Sequence, residues 1–509
     1  MDVRHYDWLA FHAGRTPGKL ALVDLESGRR FTYGEFNGRA GRLAHFLASG
    51  LGVRRGDRVG VLARNSSDLF EIQFACAKLG AIFAPFNWRL TAAELDYIIG
   101  DTAPELIFHG PEFAETLRGP GISLAVKHLV ETTGLGLASP YEDAISGAGD
   151  EAAAVEVTHD DPWTLLYTSG TTGRPKGAVL TYGVTFHNAI NVTQTTRITS
   201  ATVNLAVLPL FHTAGLNLFA NPVFHAGGTV LVTRDFQAGA VLSTLGDAEA
   251  GVTHFHGAPA NYLFMSQLLD FESTNFSYLE FAGVGGAPSP VALLDTYAQQ
   301  GLDIVQAYGM TEVGPWALTQ NAGAARAKPG SVGKPVMHTE ARIVGLDGRD
   351  VAPGNIGELR FKGPNVVPGY WRRPDADAAS FTDGWLRTGD AARKDEDGDY
   401  YIVDRWKDMF ISGGENVYPV EIENAITAHA AVFEAAVVGR PDERWGEVGH
   451  AIVRLKEGKC ATAEEITGFC GETLARYKIP KSVEFTVEPL PRTASGKLLK
   501  RQLREERGF

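Results

Sequence analysis

The sequence predicts a mixed α/β protein. It has a large N-terminal domain of parallel-sheet α/β layers with an antiparallel β subdomain, and a small, mobile α+β C-terminal domain. Three observations predict this. Strand and helix patterns alternate through the N-terminal third; after about Gly330 the pattern shifts to period two with Asp-Gly and Pro-Gly turns; after "YIVDRWKD" short α+β units restart. At 509 residues the chain is too long for one core. The expected division is 1–404, a hinge at 405–408, and 409–509.

Taken in order, Thr32 and Glu35 have capping-box spacing, and Phe36, Ala40, Leu43 and Leu47 recur at helical spacing behind them. The strand "DRVGVLA", the helix "SSDLFEIQFACAKLG" and the strand "AIFAPF" follow. Thr91 and Glu94 open a second capped helix before the strand "ELIFHG". Farther on, "EARIVGLDGRDVAPGNIGELRFKG" alternates apolar and polar residues, as an antiparallel ribbon does. Pro419 marks a helix start, "FEAAVVG" reads as a strand, and Thr462 with Glu465 caps a helix carrying Ile466, Phe469, Cys470 and Leu474.

Composition narrows the partners. A net charge of -13 repels nucleic acid and anionic membranes over most of the surface. Three cysteines, Cys76, Cys460 and Cys470, do not make a disulfide framework and fit a reducing compartment. There is no signal-peptide pattern, no apolar run long enough to span a bilayer, and no lipidation signal, so the expected location is the cytoplasm. A homodimer is compatible with this composition.

The stretch "LLYTSGTTGRPKGAVLTYG" carries the densest chemistry. Thr168, Ser169, Gly170, Thr171, Thr172, Gly173 and Lys176 combine backbone freedom, hydroxyl donors and a cation, the types that wrap an anion such as phosphate. A Walker A loop is excluded because Lys176 precedes Gly177 and no register fits. "GAVLTYG" reads as a second strand, so the loop joins two strands and does not open a helix.

With "YTSGTTGRPKG", "GGAPSP", "QAYGMTE", "WLRTGD", "DRWKDMFISGGENVYP" and "PRTASGK" in this order, nearly the whole chain resembles the adenylate-forming superfamily of acyl-CoA synthetases, luciferases and peptide-synthetase adenylation domains. The resemblance implies ATP, Mg²⁺ and coenzyme A. Thr168 to Lys176 would hold the phosphates that leave as pyrophosphate. Gly285, Gly286, Ala287, Pro288, Gln306, Tyr308, Gly309 and Met310 would receive adenine, with the Tyr308 ring as a stacking face. Asp390, Ile402 and Arg405 would meet the ribose, and Glu312 with Thr168 would hold the metal, a hard oxygen site. Thr311 would donate to the α-phosphate.

Lys497 would offset the repulsion between the substrate carboxylate and the α-phosphate. The matching family lysine enters the site for adenylation only. The resemblance therefore implies a turning C-terminal domain with Lys407 at its hinge, and Ser412, Gly413, Gly414 and Glu415 coming to the site for the thiol step. No general base for the thiol stands out.

"LPLFHTAGLNLF" resembles the acyl-pocket segment, with Phe211, His212, Gly215 and Leu216; Ala258, Gly309 and Trp316 complete the expected pocket. His212 stands where amino-acid-activating relatives carry an aspartate that pairs with the substrate ammonium, so the resemblance disfavours an α-amino acid. The motifs favour a medium- or long-chain fatty acid, although Leu216 stands where some long-chain enzymes have a gating tryptophan. A benzoate- or cinnamate-like acid and a separate carrier-protein acceptor are the alternatives.

Lys497→Ala is expected to slow acyl-AMP formation by ~10²–10³-fold, as loss of a preorganised electrostatic contact does. Thioester formation from supplied acyl-AMP should persist; equal loss in both half-reactions would remove the role.

Overall fold

The computed structural model describes residues 3–119, 121–123, 126–136, 138–149, 155–168, 174–287, 289–321, 325–406, 408–493 and 496–509. The alternation read from the N-terminal third is sorted into two sheets. One has six strands in the order His128–Glu131, Leu106–His109, Arg58–Leu62, Ile82–Pro85, Pro162–Thr168 and Lys176–Thr181. All its neighbours are parallel except the last pair, which forms an antiparallel hairpin.

The second sheet has nine strands. Its centre runs parallel from Ile304–Tyr308 through Phe281–Val284, His254–Gly257, Val203–Ala206 and Thr229–Val232 to Leu20–Asp24. Antiparallel strands close both edges. These buried central strands read as short apolar runs, as parallel strands covered on both faces do.

The period-two region forms a five-stranded antiparallel sheet that includes Glu340–Val344, Gly357–Lys362, Trp385–Lys394 and Tyr400–Arg405. Beyond it, Phe410–Ser412, Glu415–Val417, Val432–Asp442, Gly446–Leu455 and Ser482–Thr486 make another five-stranded sheet with its own apolar cluster around Phe410, Val437 and Ile466. Among the described residues, no helix is long and apolar enough to cross a membrane.

Local chemistry sets the helix starts. Thr32, Thr91 and Thr462 each accept from the backbone N–H three residues on, and Glu35, Glu94 and Glu465 return the bond, so all three capping boxes form. Cys76 and Cys470 are buried in helices, whereas Cys460 is exposed.

Helices Tyr33–His45, Ser67–Leu79 and Pro140–Gly147 are tied by a buried charge cluster. Arg39 Nε donates to Glu71 Oε1 at 2.6 Å, and Arg39 Nη1 donates to Glu142 Oε2 at 3.0 Å. The Tyr141 hydroxyl donates to Glu71 Oε2 at 2.8 Å. Glu71 is fully buried and is paired directly with Arg39. Arg39→Ala should lower stability by about 3–5 kcal/mol by leaving that carboxylate uncompensated. The urea unfolding midpoint reads this, and a midpoint unchanged from wild type would mean that the cluster does not hold these helices.

Candidate active site

The strands Pro162–Thr168 and Lys176–Thr181 pair with Thr168 opposite Lys176, so both ends of the intervening loop are held together. Ser169, Gly170, Thr171, Thr172 and Gly173 lie outside the described residues. Across from the hairpin, the strand Ile304–Tyr308 leads into a single 3₁₀ turn, Thr311–Val313, in which Thr311 and Glu312 are buried. Thr168 Oγ1 donates to Glu312 Oε1 at 3.4 Å, so the loop end and the acidic turn meet.

A residue that the sequence reading missed joins them. The Tyr370 hydroxyl donates to the same Glu312 oxygen at 2.8 Å, and Lys176 Nζ lies 4.3 Å from the Tyr370 ring centroid. Tyr370 pairs with Ala178, and Trp371 N donates to Gly177 O at 2.7 Å, which clamps this aromatic segment to the hairpin. Burial, then the Glu312 charge, raise the Tyr370 phenol pKa, so it remains a donor. "PGYW" is a turn followed by aromatics, and only the tertiary pairing reveals what it faces.

Among the described residues, no group of three or more His, Cys, Asp or Glu side chains forms a metal cage. One buried carboxylate, Glu312, beside a hydroxyl fits a magnesium ion that takes its other ligands from phosphate and water.

A cavity of about 390 Å³ opens beside this cluster. Gly286, Ala287, Gln306, Tyr308, Gly309 and Met310 line one wall, and Asp390, Ile402 and Arg405 another. Gly309 must be glycine, because a Cβ there would fall 1.5 Å from Pro315 O. Gly285 sits behind this wall, and Pro288 lies outside the described residues. The Tyr308 ring packs on Phe361 at 6.0 Å, and its hydroxyl donates to Asp390 Oδ2. The other carboxylate oxygen of Asp390 is 3.3 Å from Arg405 Nε, its partner on the adjacent strand. The expected ribose acceptor is therefore held in place from both sides, with one oxygen already engaged by Tyr308.

Lys497 lines the same cavity although it comes from the far end of the chain. Its turn is built locally. Thr493 N donates to Lys497 O at 2.7 Å, Gly496 N to Thr493 O at 2.9 Å, and Lys497 N to Thr493 Oγ1 at 3.1 Å. Arg492 braces the turn by donating to Gly496 O at 2.9 Å and Glu434 Oε2 at 2.7 Å. Gly496 has φ +84°, and a Cβ there would stand 3.1 Å from the Ala258 Cβ. Just behind, buried Lys500 Nζ lies 2.9 Å from Glu423 Oε1.

Ser412, Gly413, Gly414 and Glu415 are not brought to this cavity. They form the hairpin between Phe410–Ser412 and Glu415–Val417, where a Cβ on Gly413 would lie 2.8 Å from Trp445. Lys407 lies outside the described residues.

The expected acyl residues separate into groups. His212 is half-buried, and its Nδ1 accepts from Ala214 N at 3.2 Å, which leaves the ring proton on Nε2. Burial lowers its pKa to about 4, so it is a neutral donor near neutral pH. Phe211 faces Trp88, while Gly215 and Leu216 are buried in the segment Ala214–Ala220. Trp316 is buried and anchored: Nε1 donates to Thr195 Oγ1 at 3.0 Å, and its backbone N donates to Asn188 Oδ1 at 3.1 Å. Its ring meets Phe219, Phe281 and His256.

Ala258 instead lines a second cleft, of about 420 Å³, with Arg64, Arg89, Arg234 and Arg492. Arg64 and Arg89 both lie over Trp88, at 4.5 and 4.7 Å from its ring centroid, and Arg64 also pairs with Asp235. These arginines come from four separate segments, so no run of positive charge announces the cleft.

Comparison with known proteins agrees with this geometry. The AMP-binding enzyme family model matches residues 9–371, and the AMP-binding enzyme C-terminal domain matches 421–497. A feruloyl-CoA synthase from Amycolatopsis sp is 42% identical over 501 residues, covering 98% of each chain. An indoleacetate–CoA ligase from Aromatoleum aromaticum is 38% identical over 98% of this chain and 97% of its own length. A long-chain-fatty-acid–CoA ligase from Mycobacterium tuberculosis is 38% identical over 96% of both. Among solved structures, ATP-bound MatB from Rhodopseudomonas palustris superposes with a TM-score of 0.91 at 31% identity, over 99% of each chain.

Gly496→Ala should weaken the seating of the Lys497 turn, because the new Cβ meets both an unfavourable φ and Ala258. Pyrophosphate release is expected to fall by roughly tenfold, equivalent to about 1.4 kcal/mol. An unchanged rate would show that the turn tolerates displacement from Ala258.

Proposed function

The chain belongs to the AMP-binding enzyme family, and on that footing we propose that it joins an aryl carboxylic acid of the cinnamate type to coenzyme A. It is an ATP-dependent acid–CoA ligase, an acyl-CoA synthetase that forms AMP. The fatty-acid preference read from the motifs is less well supported than the aryl alternative. The feruloyl-CoA synthase is the more similar of the two kinds of relative, at 42% against 38% identity for the fatty-acid ligase.

The observation that carries the aryl reading is the fixed indole of Trp316. Gly309 lines the nucleotide cavity, and a Cβ on it would stand 3.4 Å from Trp316 N, so the tryptophan segment lies directly behind the cavity wall. Hydrogen bonds hold both its backbone and its ring, and Phe219 and Phe281 add aromatic edges. A rigid aromatic layer behind the cavity wall suits a short planar acid, whereas a long flexible chain needs an open channel past it.

In the adenylation step the carboxylate oxygen attacks the α-phosphorus of ATP, and pyrophosphate leaves. Thr168 and Lys176, with the loop between them, hold the departing phosphates. Lys497 and Thr311 meet the α-phosphate, and neutral His212 offers its Nε2–H to the carboxylate region. Tyr308, Asp390 and Arg405 fix the nucleoside. Glu312, braced by Tyr370 and Thr168, would hold Mg²⁺, which when bound neutralises phosphate charge.

In the second step a thiolate attacks the acyl carbonyl and AMP leaves. The arginine-rich cleft beside Ala258 suits the phosphates of coenzyme A. For this step residues 409–509 turn against 1–404 about a hinge at 405–408, exchanging Lys497 for Ser412–Glu415.

The test is pyrophosphate release and thioester formation over ferulate, cinnamate, benzoate, octanoate and palmitate, with and without coenzyme A. The highest kcat/KM is expected for the cinnamates, with a CoA thioester as product and loss of activity on magnesium chelation. A higher kcat/KM for palmitate overturns the aryl reading, and pyrophosphate release without thioester overturns coenzyme A as acceptor.

A further inference from the structure

Two histidines project from the strand His254–Gly257 at positions i and i+2, so they share a face of the sheet. His254 is fully engaged: Nδ1 meets Thr253 Oγ1 at 2.9 Å, and Nε2 meets Thr196 O at 2.9 Å. His256 differs. It is 6% exposed, and its Nδ1 has no hydrogen-bond partner. A buried polar atom without a partner is costly and calls for an explanation, of which a ligand is one.

The surroundings of His256 are aromatic on two sides and bare on a third. Phe219 and Trp316 approach edge-on, with ring centroids at 5.6 and 5.8 Å. On the neighbouring strand stand Gly283 and Gly285. A Cβ on Gly283 would lie 2.6 Å from His256 Nδ1, and one on Gly285 would lie 3.5 Å from Nε2. Only glycine at 283 leaves room for the imidazole. Val284 and Gly286, interleaved with these glycines, line the nucleotide cavity, so the ring sits one strand behind the cavity wall and beside the anchored Trp316.

We propose that His256 is a specificity-determining residue whose imidazole hydrogen-bonds the ring hydroxyl of a hydroxylated aryl acid. The assignment rests on the aryl reading above. Phe219 and Trp316 meet His256 edge-on and fix its ring, and His256 reads the polar group of the substrate ring. Burial lowers the His256 pKa to about 3, so the imidazole is neutral near pH 7, with one nitrogen donating and the other accepting. A phenol both donates and accepts, and matches either tautomer. An acid lacking the hydroxyl leaves the buried nitrogen unpaired, and sites built to bond a hydroxyl reject such analogues strongly.

The test compares ferulate with 3-methoxycinnamate, which lacks only the hydroxyl, by pyrophosphate release in the full-length enzyme. Wild type should favour ferulate in kcat/KM by about tenfold or more. His256→Phe should bring that ratio close to one, and His256→Gln, which keeps a neutral hydrogen-bonding group, should restore part of it. Gly283→Ala provides a second route, since its Cβ would displace the imidazole without removing it, and should lower the ratio likewise. A wild-type ratio near one, or a ratio equal in wild type, His256→Phe and Gly283→Ala, overturns the assignment while leaving the aryl reading intact. Activation of palmitate with neither cinnamate turned over overturns both.

Discussion

The seating of one turn, Thr493–Lys497, against Ala258 is the contact on which the site depends. Without it, the cavity between the nucleotide strands and the C-terminal sheet would lose its far wall and the cation that lines it. The contact is made possible by an absent side chain at Gly496, because a Cβ there would stand only 3.1 Å from the Ala258 Cβ. Its position is over-determined from within, because Arg492 is bonded both to the turn and to Glu434. A cation on a flexible tail would spend most of its time in solvent; one held in a braced turn is available where charge develops, without reorganisation at the moment of reaction.

The same economy of placement governs the acidic side. Glu312 lies buried with Tyr370 and Thr168 both donating to one of its oxygens, and Lys176 sits over the Tyr370 ring. A lone buried carboxylate is costly, and these donors offset part of that cost before any substrate arrives. Asp390 follows the pattern with Tyr308 and Arg405. Each anionic side chain is thus held rigidly by a phenol whose own pKa lies well above neutrality, so the phenols act as fixed donors that do not titrate with the reaction.

What the sequence made legible was local. Capping at Thr32, Thr91 and Thr462, the switch to period two after Gly330, and the hairpin across Thr168 and Lys176 all follow from spacing within a dozen residues, and all are present. The sorting of the alternating strands into two sheets was not legible, because parallel strands pair across intervening helices and their apolar runs look alike. Tyr370 and the four arginines of the second cleft were missed for a related reason: each is ordinary in its own segment and acquires meaning only from partners far away in the chain. The expected acyl residues show the limit most clearly. His212, Ala258 and Trp316 were grouped by motif, yet Ala258 faces the arginine cleft while Trp316 packs with Phe219 and His256.

The charges behind the Lys497 turn bear on how the two steps can share one site. Lys500 is buried against Glu423, and both belong to the C-terminal part, so their ion pair travels with it in any turning motion. Asp404, by contrast, stands at the end of the antiparallel sheet and accepts from Val420 N at 3.0 Å. Turning about 405–408 would break that single bond and move Asp404 away from Lys500, while leaving the Lys500–Glu423 pair closed. Loss of that charged hydrogen bond is on the order of 1.5–3 kcal/mol, within reach of the differential contacts that substrates and products would make with two orientations. Had Lys500 found its only counter-charge across the hinge, the same motion would strand a buried ammonium at a cost several times larger. With Glu423 on the lysine's own side of the proposed hinge, the buried Lys500–Glu423 pair stays closed in either orientation.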